Sequence, residues 1–182
     1  MNERKTRLRT FRLSESLNSS LEKEAADEGT SVNMNVNSIL SQHFDWNKKA
    51  QEFGFIAVPK SVFMSLIEGL DDEKLARIGK EVIPATWKEM AEFWLQDSSP
   101  DAILYRLLAR FKSSPYSRTK VTKEGDTYTI VMSHDFGPKW SIASKSALQE
   151  FVRQSFHVEP RISQGDSVVT ARFKVNPRDL PS

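Results

Sequence analysis

The chain has 182 residues and a formal net charge of +2; 38% of its residues are hydrophobic, 27% are charged, and none is cysteine. This composition is typical of a folded globular protein, and the lack of cysteine excludes disulfides, thiolate catalysis and cysteine-based metal sites. Because no apolar run approaches the roughly 18 residues of a membrane span and the amino terminus is charged rather than signal-like, we expect a cytoplasmic protein that does not bind membranes.

Basic residues are concentrated in the first twelve positions, ahead of a segment rich in acidic residues. The basic residues are Arg4, Lys5, Arg7, Arg9 and Arg12. From Leu8 to Leu13 polar and apolar side chains alternate, so that Thr10 and Arg12 share one face and Phe11 and Leu13 the other. This alternation predicts a short strand, and a strand needs a partner because its backbone groups cannot bond to each other.

Two amphipathic helices are predicted after this strand. The first has apolar residues at helical spacing and ends at Gly29, where the backbone is expected to turn left-handed. The second begins after Thr30 or Ser31 as its N-cap. Its apolar stripe consists of Val32, Val36, Ile39, Leu40 and Phe44. Elements this small bury little surface, and we therefore expect the segment to fold as a dimer.

Strand, helix, turn and helix together resemble the ribbon-helix-helix superfamily of DNA-binding repressors over about residues 8–48. The matching motifs are Thr10-Phe11-Arg12-Leu13 and Gly29-Thr30-Ser31-Val32-Asn33. The resemblance implies an intertwined β-α-α dimer whose paired strands form a β-ribbon in the major groove of duplex DNA. It implies base contacts from Leu8, Thr10 and Arg12. It also implies phosphate contacts from the start of the second helix and from the basic arm, namely Ser31, Val32, Asn33, Arg4, Lys5 and Arg7.

The remainder of the chain is predicted to fold as a separate domain. Gly54 and Pro59 interrupt the helical pattern, which gives a DNA-binding domain at 1–50, a linker at 51–60 and a second domain at 61–182. Helices are predicted over 61–69, from 71 or 72 to 80 or 83, over 84–96 and over 99–111. Strands are predicted at 120–123, 127–134, 158–162 and 167–175, with a helix between the second and the third. The second domain is therefore a helical segment followed by a small α+β unit with an antiparallel sheet.

The segment from His134 to Ser141 is the most distinctive part of this second domain. It groups an imidazole, a carboxylate, an ammonium and an indole within a few positions, and the candidate ligand pocket is formed by His134, Asp135, Lys139 and Trp140. The alternative is a strand-to-helix connection in which Gly137-Pro138 makes the turn. An upstream aromatic group, Trp87, Phe93 and Trp94, follows helical spacing and is expected in the core or in a dimer interface rather than around a ligand.

Catalytic and metal-binding motifs are not found in the sequence. There is no nucleophile elbow, phosphate loop or metalloprotease helix, so we predict no enzyme, no catalytic residue and no cofactor. The resemblance extends to nickel-responsive repressors, which join a ribbon-helix-helix domain to an α+β metal domain. The candidate ligands here, His134 and His157-Val158-Glu159, lack a metal-ligand spacing, and no metal site is predicted.

These observations predict a sequence-specific DNA-binding transcriptional regulator, a repressor by class, that acts as a homodimer or a tetramer. Its second domain is expected to oligomerise or to bind a small-molecule or protein effector. The alternative is the antitoxin of a toxin–antitoxin pair, which would use the same first domain for autoregulation. Antitoxin tails are typically short and disordered until bound, whereas residues 61–175 have the pattern of a folded domain. A more distant alternative is an enzyme that depends on His134.

Overall fold

The computed structural model describes residues 7–108 and 116–175. The chain divides into two units, Met1–Glu52 and Phe53–Ser182. In the described part of the chain, no helix combines the length and the apolar character that crossing a membrane requires.

The first unit is helical in its described residues. Helix α1 spans Glu15–Asp27 and helix α2 spans Val32–Gln42; a π-helical segment, His43–Asn47, joins α2 to helix α3, Lys48–Phe53. Both helices have a serine N-cap, and for α2 it is Ser31, one of the two predicted candidates. Ser14 Oγ accepts a hydrogen bond from the Leu17 amide at 3.3 Å, and Ser31 Oγ accepts one from the Met34 amide at 3.2 Å.

The turn between α1 and α2 follows the predicted glycine stop. Gly29 has a φ of +65°, which few residues with a Cβ adopt. The Thr30 amide donates to the Ala25 carbonyl at 2.8 Å and the Gly29 amide donates to the Ala26 carbonyl at 3.2 Å, the two bonds of a Schellman motif. This turn reverses the chain tightly, and Asn35 of α2 then donates a side-chain hydrogen bond to Glu24 of α1 at 3.2 Å.

The predicted amino-terminal strand of the β-α-α ribbon-helix-helix fold is wrong for this structure. Residues 7–14, the described part of the amino-terminal segment, contain no strand, and the first regular element is α1. The physical reason is that a ladder needs two strands, and alternation of side chains along one chain supplies no partner for its backbone groups. The predicted strand residues Leu8, Thr10 and Arg12 are instead exposed on a segment without regular structure.

The second unit begins with helices and ends with a sheet. Its helices are α4 (Lys60–Glu68), α5 (Asp72–Arg77), α6 (Ile83–Leu95) and α7 (Gly137–Phe156), with π-helical segments at Ile78–Val82 and Ala102–Leu107. The strands are β1 (Ser117–Glu124), β2 (Thr127–His134), β3 (Arg161–Gln164) and β4 (Val168–Lys174). They form one antiparallel sheet in the order β1-β2-β4-β3.

The sheet has the predicted strand–strand–helix–strand–strand order, with corrections at two strands. Strand β1 begins three residues earlier than predicted, and β3 begins three residues later, at Arg161. The last predicted strand is confirmed, and its side chains alternate, because Val169, Ala171 and Phe173 are at most 4% exposed while Val168 is 41% exposed. The predicted end of the fourth helix of this domain, Phe111, lies outside the described residues.

Helix α7 is central to the second unit, since it contacts β3 and β4 as well as α5, α6 and the Ile78–Val82 segment. The helix predicted between the second and third strands is confirmed, and its apolar residues Leu148, Phe151, Val152 and Phe156 are at most 3% exposed. On the helical side, Gly79 approaches α7 so closely that a Cβ there would lie 2.1 Å from the Ala143 carbonyl oxygen. Only glycine permits this approach, which fixes the distance between the two helical layers.

Candidate functional site

The first unit carries its predicted DNA-contacting residues on exposed surface. Arg7, Leu8, Thr10 and Arg12 are exposed on the segment before α1, as is Arg9, while Arg4 and Lys5 lie outside the described residues. Ser31 and Asn33 are exposed at the start of α2, and Val32 is half-buried. Both sets of predicted contacts belong to the first unit. All of the described ones are exposed except Val32, which is half-buried.

The start of α2 has the electrostatic character of an anion site. Its first backbone N–H groups have no intrahelical acceptor, and the first turn of the helix contains no acidic side chain. The Ser31 hydroxyl satisfies the Met34 amide only. The amides of Val32 and Asn33 precede it in the first turn, where a phosphate oxygen is a suitable acceptor.

Large apolar side chains of the first unit are exposed in the single chain. Its buried residues are few, among them Leu21, Ala25 and Ala50, all at or below 7% exposure. By contrast, exposures of 43–91% are found for Leu8, Phe11, Leu13, Leu17, Met34, Ile39, Leu40 and Phe44. Extended apolar surfaces of this kind are typical of sites where a protein interacts with another molecule.

The second unit contains a half-enclosed apolar cavity of about 290 Å³ between α6, α7 and the strands β1 and β2. Four of its lining residues are at most 2% exposed, namely Met90, Leu108, Ser144 and Ala147, whereas Phe55 is 41% exposed. The full lining is Phe55, Ile83, Thr86, Trp87, Met90, Leu108, Ser117, Thr119, Met132, Phe136, Trp140, Ser144 and Ala147. This combination of apolar walls with a few polar groups is typical of small-molecule sites.

One buried hydroxyl beside this cavity is unsatisfied. Ser144 is 2% exposed, and its Oγ has no hydrogen-bond partner among the described residues. Leaving a buried hydroxyl unpaired costs about 1–3 kcal/mol, so such groups are rare unless a water or ligand binds to them. The cavity lining contains no charged side chain among the described residues.

The four residues predicted as a pocket do not form one: His134 ends β2, Asp135 lies in the connection, and Lys139 and Trp140 lie in the first turn of α7. Trp140 lines the cavity. Asp135 forms an ion pair with Lys60 of α4, and Lys139 donates to the Leu70 carbonyl at 2.5 Å and lies 3.2 Å from the Asp72 carboxylate. Asp135 therefore ties α4 to the connection after β2, and Lys139 ties the start of α5 to the first turn of α7. Both contacts fit the alternative interpretation of this segment as a strand-to-helix connection.

His134, the fourth of these predicted residues, ends β2 and is buried beside α7. Its Nε2 lies 2.9 Å from Ser141 Oγ, and the Phe136 amide donates to its Nδ1 at 3.4 Å. Since Nδ1 accepts, the ring proton resides on Nε2 and is donated to the serine. Burial lowers the pKa of His134, with a smaller opposing contribution from Asp135, and the neutral ring is favoured. Ser141 is 0% exposed, so the pair joins β2 to α7 and does not present a nucleophile.

The sequence analysis missed most of the cavity lining. Trp87 was expected in the core or in a dimer interface; it is buried, and it also lines the cavity together with the buried Met90. Ser144 looked like any polar residue on a helix. The periodicity of α7 places it on the buried face with Ala147 and Leu148, and this was the signal that could have identified it.

Among the described residues, no group of three or more His, Asp or Glu side chains could hold a metal ion. Comparison with known proteins found no protein-family model and no curated protein that matches this chain. The function of the chain is therefore inferred from the geometry of its two units.

Proposed function

We propose that the chain is a cytoplasmic transcriptional regulator that binds duplex DNA sequence-specifically through its first unit as a homodimer. The observation that carries the proposal is the exposed apolar surface of the first unit next to its basic amino-terminal segment. The likeness of residues 8–48 to ribbon-helix-helix repressors adds to this argument as a sequence resemblance.

The apolar surface supports the homodimer. Ile39 and Leu40 are each 43% exposed on α2, and Phe44, one turn later, is 59% exposed. With these side chains in water, the unit gains little hydrophobic stabilisation from its own core. A second copy of the chain offers the same apolar residues, and a symmetric dimer would cover both sets.

The charge distribution supports DNA as the ligand. Arg7, Arg9 and Arg12 are exposed, and no acidic residue occurs between residues 7 and 14. Phosphate contacts of this kind supply affinity for any duplex, whereas a guanidinium that reaches a guanine supplies selectivity. We assign the selective contact to Arg12, with Thr10 beside it, and the phosphate contacts to Arg7 and the amino end of α2.

A folded second unit favours the regulator over the antitoxin. Residues 53–175 have a sheet, a central helix and a buried core in their described parts, unlike a short tail that folds only on a toxin. In the proposed regulator this unit is the sensing or oligomerising module, and an effector would act by favouring one arrangement of the DNA-binding units over another.

The test begins with selection of duplexes that bind the full-length chain from a random library. Fluorescence anisotropy at near-physiological salt then measures affinity for the selected and a scrambled duplex. We expect the selected site to be an inverted repeat, as twofold protein symmetry requires. Arg12→Ala is expected to cost about 1–3 kcal/mol on the selected duplex and little on the scrambled one.

Two further variants give the controls for Arg12→Ala. Arg7→Ala should weaken binding to both duplexes equally and reduce the salt slope by about one unit. Arg161→Ala removes one charge from an exposed position in the second unit and should change neither affinity. Failure to select any sequence, or equal affinities for wild type and Arg12→Ala, would overturn the proposal.

A further inference from the structure

The sheet of the second unit has one covered face and one open face. Helix α7 covers the first, where the rings of Tyr128 on β2 and Phe173 on β4 lie 5.6 Å and 5.1 Å from the ring of Phe156. Strand residues of the opposite parity lie on the other face, because side chains alternate along a strand. None of these described residues is buried, so this face is open to another molecule.

The open face is basic. Its strand residues include five basic side chains and one acidic side chain, Glu124, so the face carries a net charge of +4, whereas the whole chain carries +2. The basic residues are all exposed, namely Arg118 and Lys120 on β1, Arg172 and Lys174 on β4, and Arg161 on β3. None of the five has an ion-pair partner within the described part of the chain. Their charge is therefore available to an anionic partner.

Four of these basic residues flank a row of short side chains. Strand β2 lies between β1 and β4, and the long side chains of both neighbours rise beside it. Because neighbouring strands are about 4.8 Å apart, the two basic rows are roughly 10 Å apart. We call this surface the basic trough; its sides are Arg118, Lys120, Arg172 and Lys174, and its floor is Thr127, Thr129, Val131 and Ser133. Arg161 pairs with Arg172 from the far side of β4 and lies outside the trough.

The chemistry of the trough fits the phosphate backbone of a nucleic-acid duplex. Guanidinium and ammonium groups neutralise phosphates, and the hydroxyls of the floor can donate to phosphate oxygens. None of the described strand residues of the open face is aromatic, so an unpaired base would find no ring to stack on, and a duplex is favoured over a single strand. The apolar residues of this face are Val131 and Val168, which is too little for insertion into a membrane surface.

We propose that the basic trough binds the phosphate backbone of duplex DNA without regard to its sequence. The choice of DNA over RNA rests on the proposed function of the first unit, because the same chain would then already be bound to DNA. The trough adds affinity for any duplex, whereas sequence selectivity remains with Arg12.

Fluorescence anisotropy of the full-length chain with the scrambled DNA duplex, measured over a series of salt concentrations, tests the proposal. Lys120→Ala and Arg172→Ala each remove one expected phosphate contact. Each should reduce the salt slope by about one unit, and the double variant should weaken binding about 10-fold at near-physiological salt. Lys120→Arg and Arg172→Lys keep the charge and should bind like wild type. Melting temperatures of all variants verify folding.

Arg161→Ala is the matched control, because it removes a charge from the same face but outside the trough. It should leave both affinity and salt slope unchanged. The proposal would be overturned by a wild-type chain that does not bind the scrambled duplex, by a double variant that binds it like wild type, or by an equal loss in Arg161→Ala. Tighter binding of a duplex RNA of the same sequence, or equally effective displacement of the DNA by polyglutamate of equal charge, would also overturn it.

The two proposals fail in different measurements. If the double variant weakens binding to the scrambled duplex while Arg12→Ala has no selective effect, the trough binds DNA and the function proposed for the first unit is wrong. If Arg12→Ala is selective while the double variant binds both duplexes like wild type, the first unit binds DNA and the trough does not.

Discussion

Helices α2 and α7 both carry apolar residues at helical spacing, and the structure treats the two stripes differently. In α7, Leu148 and Val152 are fully buried against the sheet and the helices of the second unit. In α2, Ile39 and Leu40 remain 43% exposed. The apolar stripe of α7 is thus covered by its own unit, whereas the stripe of α2 is partly exposed, and in the proposed homodimer a second copy would cover it.

The two helices differ in how far their apolar residues are buried, and this difference bears on the stability of each unit. A unit that contains a sheet can bury one face of that sheet against a helix, and α7 does this in the second unit. The described residues of the first unit contain no sheet, and in the proposed homodimer their stability would depend on association. We therefore expect the second unit to tolerate dilution and the first to depend on protein concentration.

The substitution expected to cause the greatest loss of stability is in the second unit, at Gly79. Gly79→Ala would place a methyl group 2.1 Å from the Ala143 carbonyl oxygen and 2.8 Å from the Ser146 Cβ. Because backbone cannot move away as a side chain can, we expect the free energy of unfolding to fall by at least about 3 kcal/mol, measured by urea denaturation.

Gly69→Ala is the matched control for this substitution. Gly69 ends α4 with a φ of −73°, and its nearest neighbours would be 3.6 Å and 3.7 Å away from a Cβ, which is ordinary contact. Its free energy of unfolding should change by no more than about 1 kcal/mol, in either direction. Equal losses in the two variants would mean that the close approach at Gly79 is not what sets the helix spacing.

The next effect concerns the first unit. Ile39→Glu adds a charge to the exposed apolar surface of α2 and should weaken the proposed homodimer about 100-fold or more, because an unpaired charge would be buried in the interface. Sedimentation velocity of the full-length chain measures the change. Ser38→Glu adds the same charge at the neighbouring exposed position, and a dimer equally weakened by both would argue against an interface centred on the apolar stripe.

Sequence periodicity predicted the second unit better than the first, and the physical reason is specific. Residues such as Val169 and Phe173 alternate with exposed ones because their strand pairs with β2 and β3 of the same chain, so local pattern and tertiary contact agree. Leu8 to Leu13 alternate in the same way, but no strand within the described chain pairs with them.

The candidate site was harder to predict than the fold. The loop after β2 attracted attention because it collects polar groups, yet Asp135 and Lys139 serve to anchor neighbouring helices. The cavity is formed by residues distant in sequence, such as Phe55 and Met132, whose side chains are individually ordinary. Their proximity follows from how α6, α7 and the sheet pack, which no local pattern encodes.

A smaller effect separates two buried serines of α7. Ser141→Ala removes the partner of His134 and should lower the free energy of unfolding by about 1–3 kcal/mol. Ser144→Ala removes an unsatisfied hydroxyl and should raise it by about 1 kcal/mol in the absence of ligand. Denaturant titration of both variants gives the signs. A loss of stability in Ser144→Ala would show that its Oγ is satisfied within the folded protein.

The smallest expected effect is a pH dependence from His134. Burial lowers its pKa in the folded protein, so the unfolded chain binds more protons and stability should fall as pH drops from about 7.5 to 5. His134→Gln should reduce this slope. Asp71, Asp97 and Glu150, whose pKa values are lowered by hydrogen bonds, contribute at more acidic pH. An unchanged slope in His134→Gln would contradict this assignment.

We propose that two copies of the chain associate through their first units when they bind duplex DNA. Sedimentation equilibrium of the full-length protein with a selected duplex measures the number of chains in the complex. The account predicts two chains per duplex, or four if the dimers associate further. A complex of one chain per duplex, or the absence of a complex at concentrations where the free protein is folded, would contradict it.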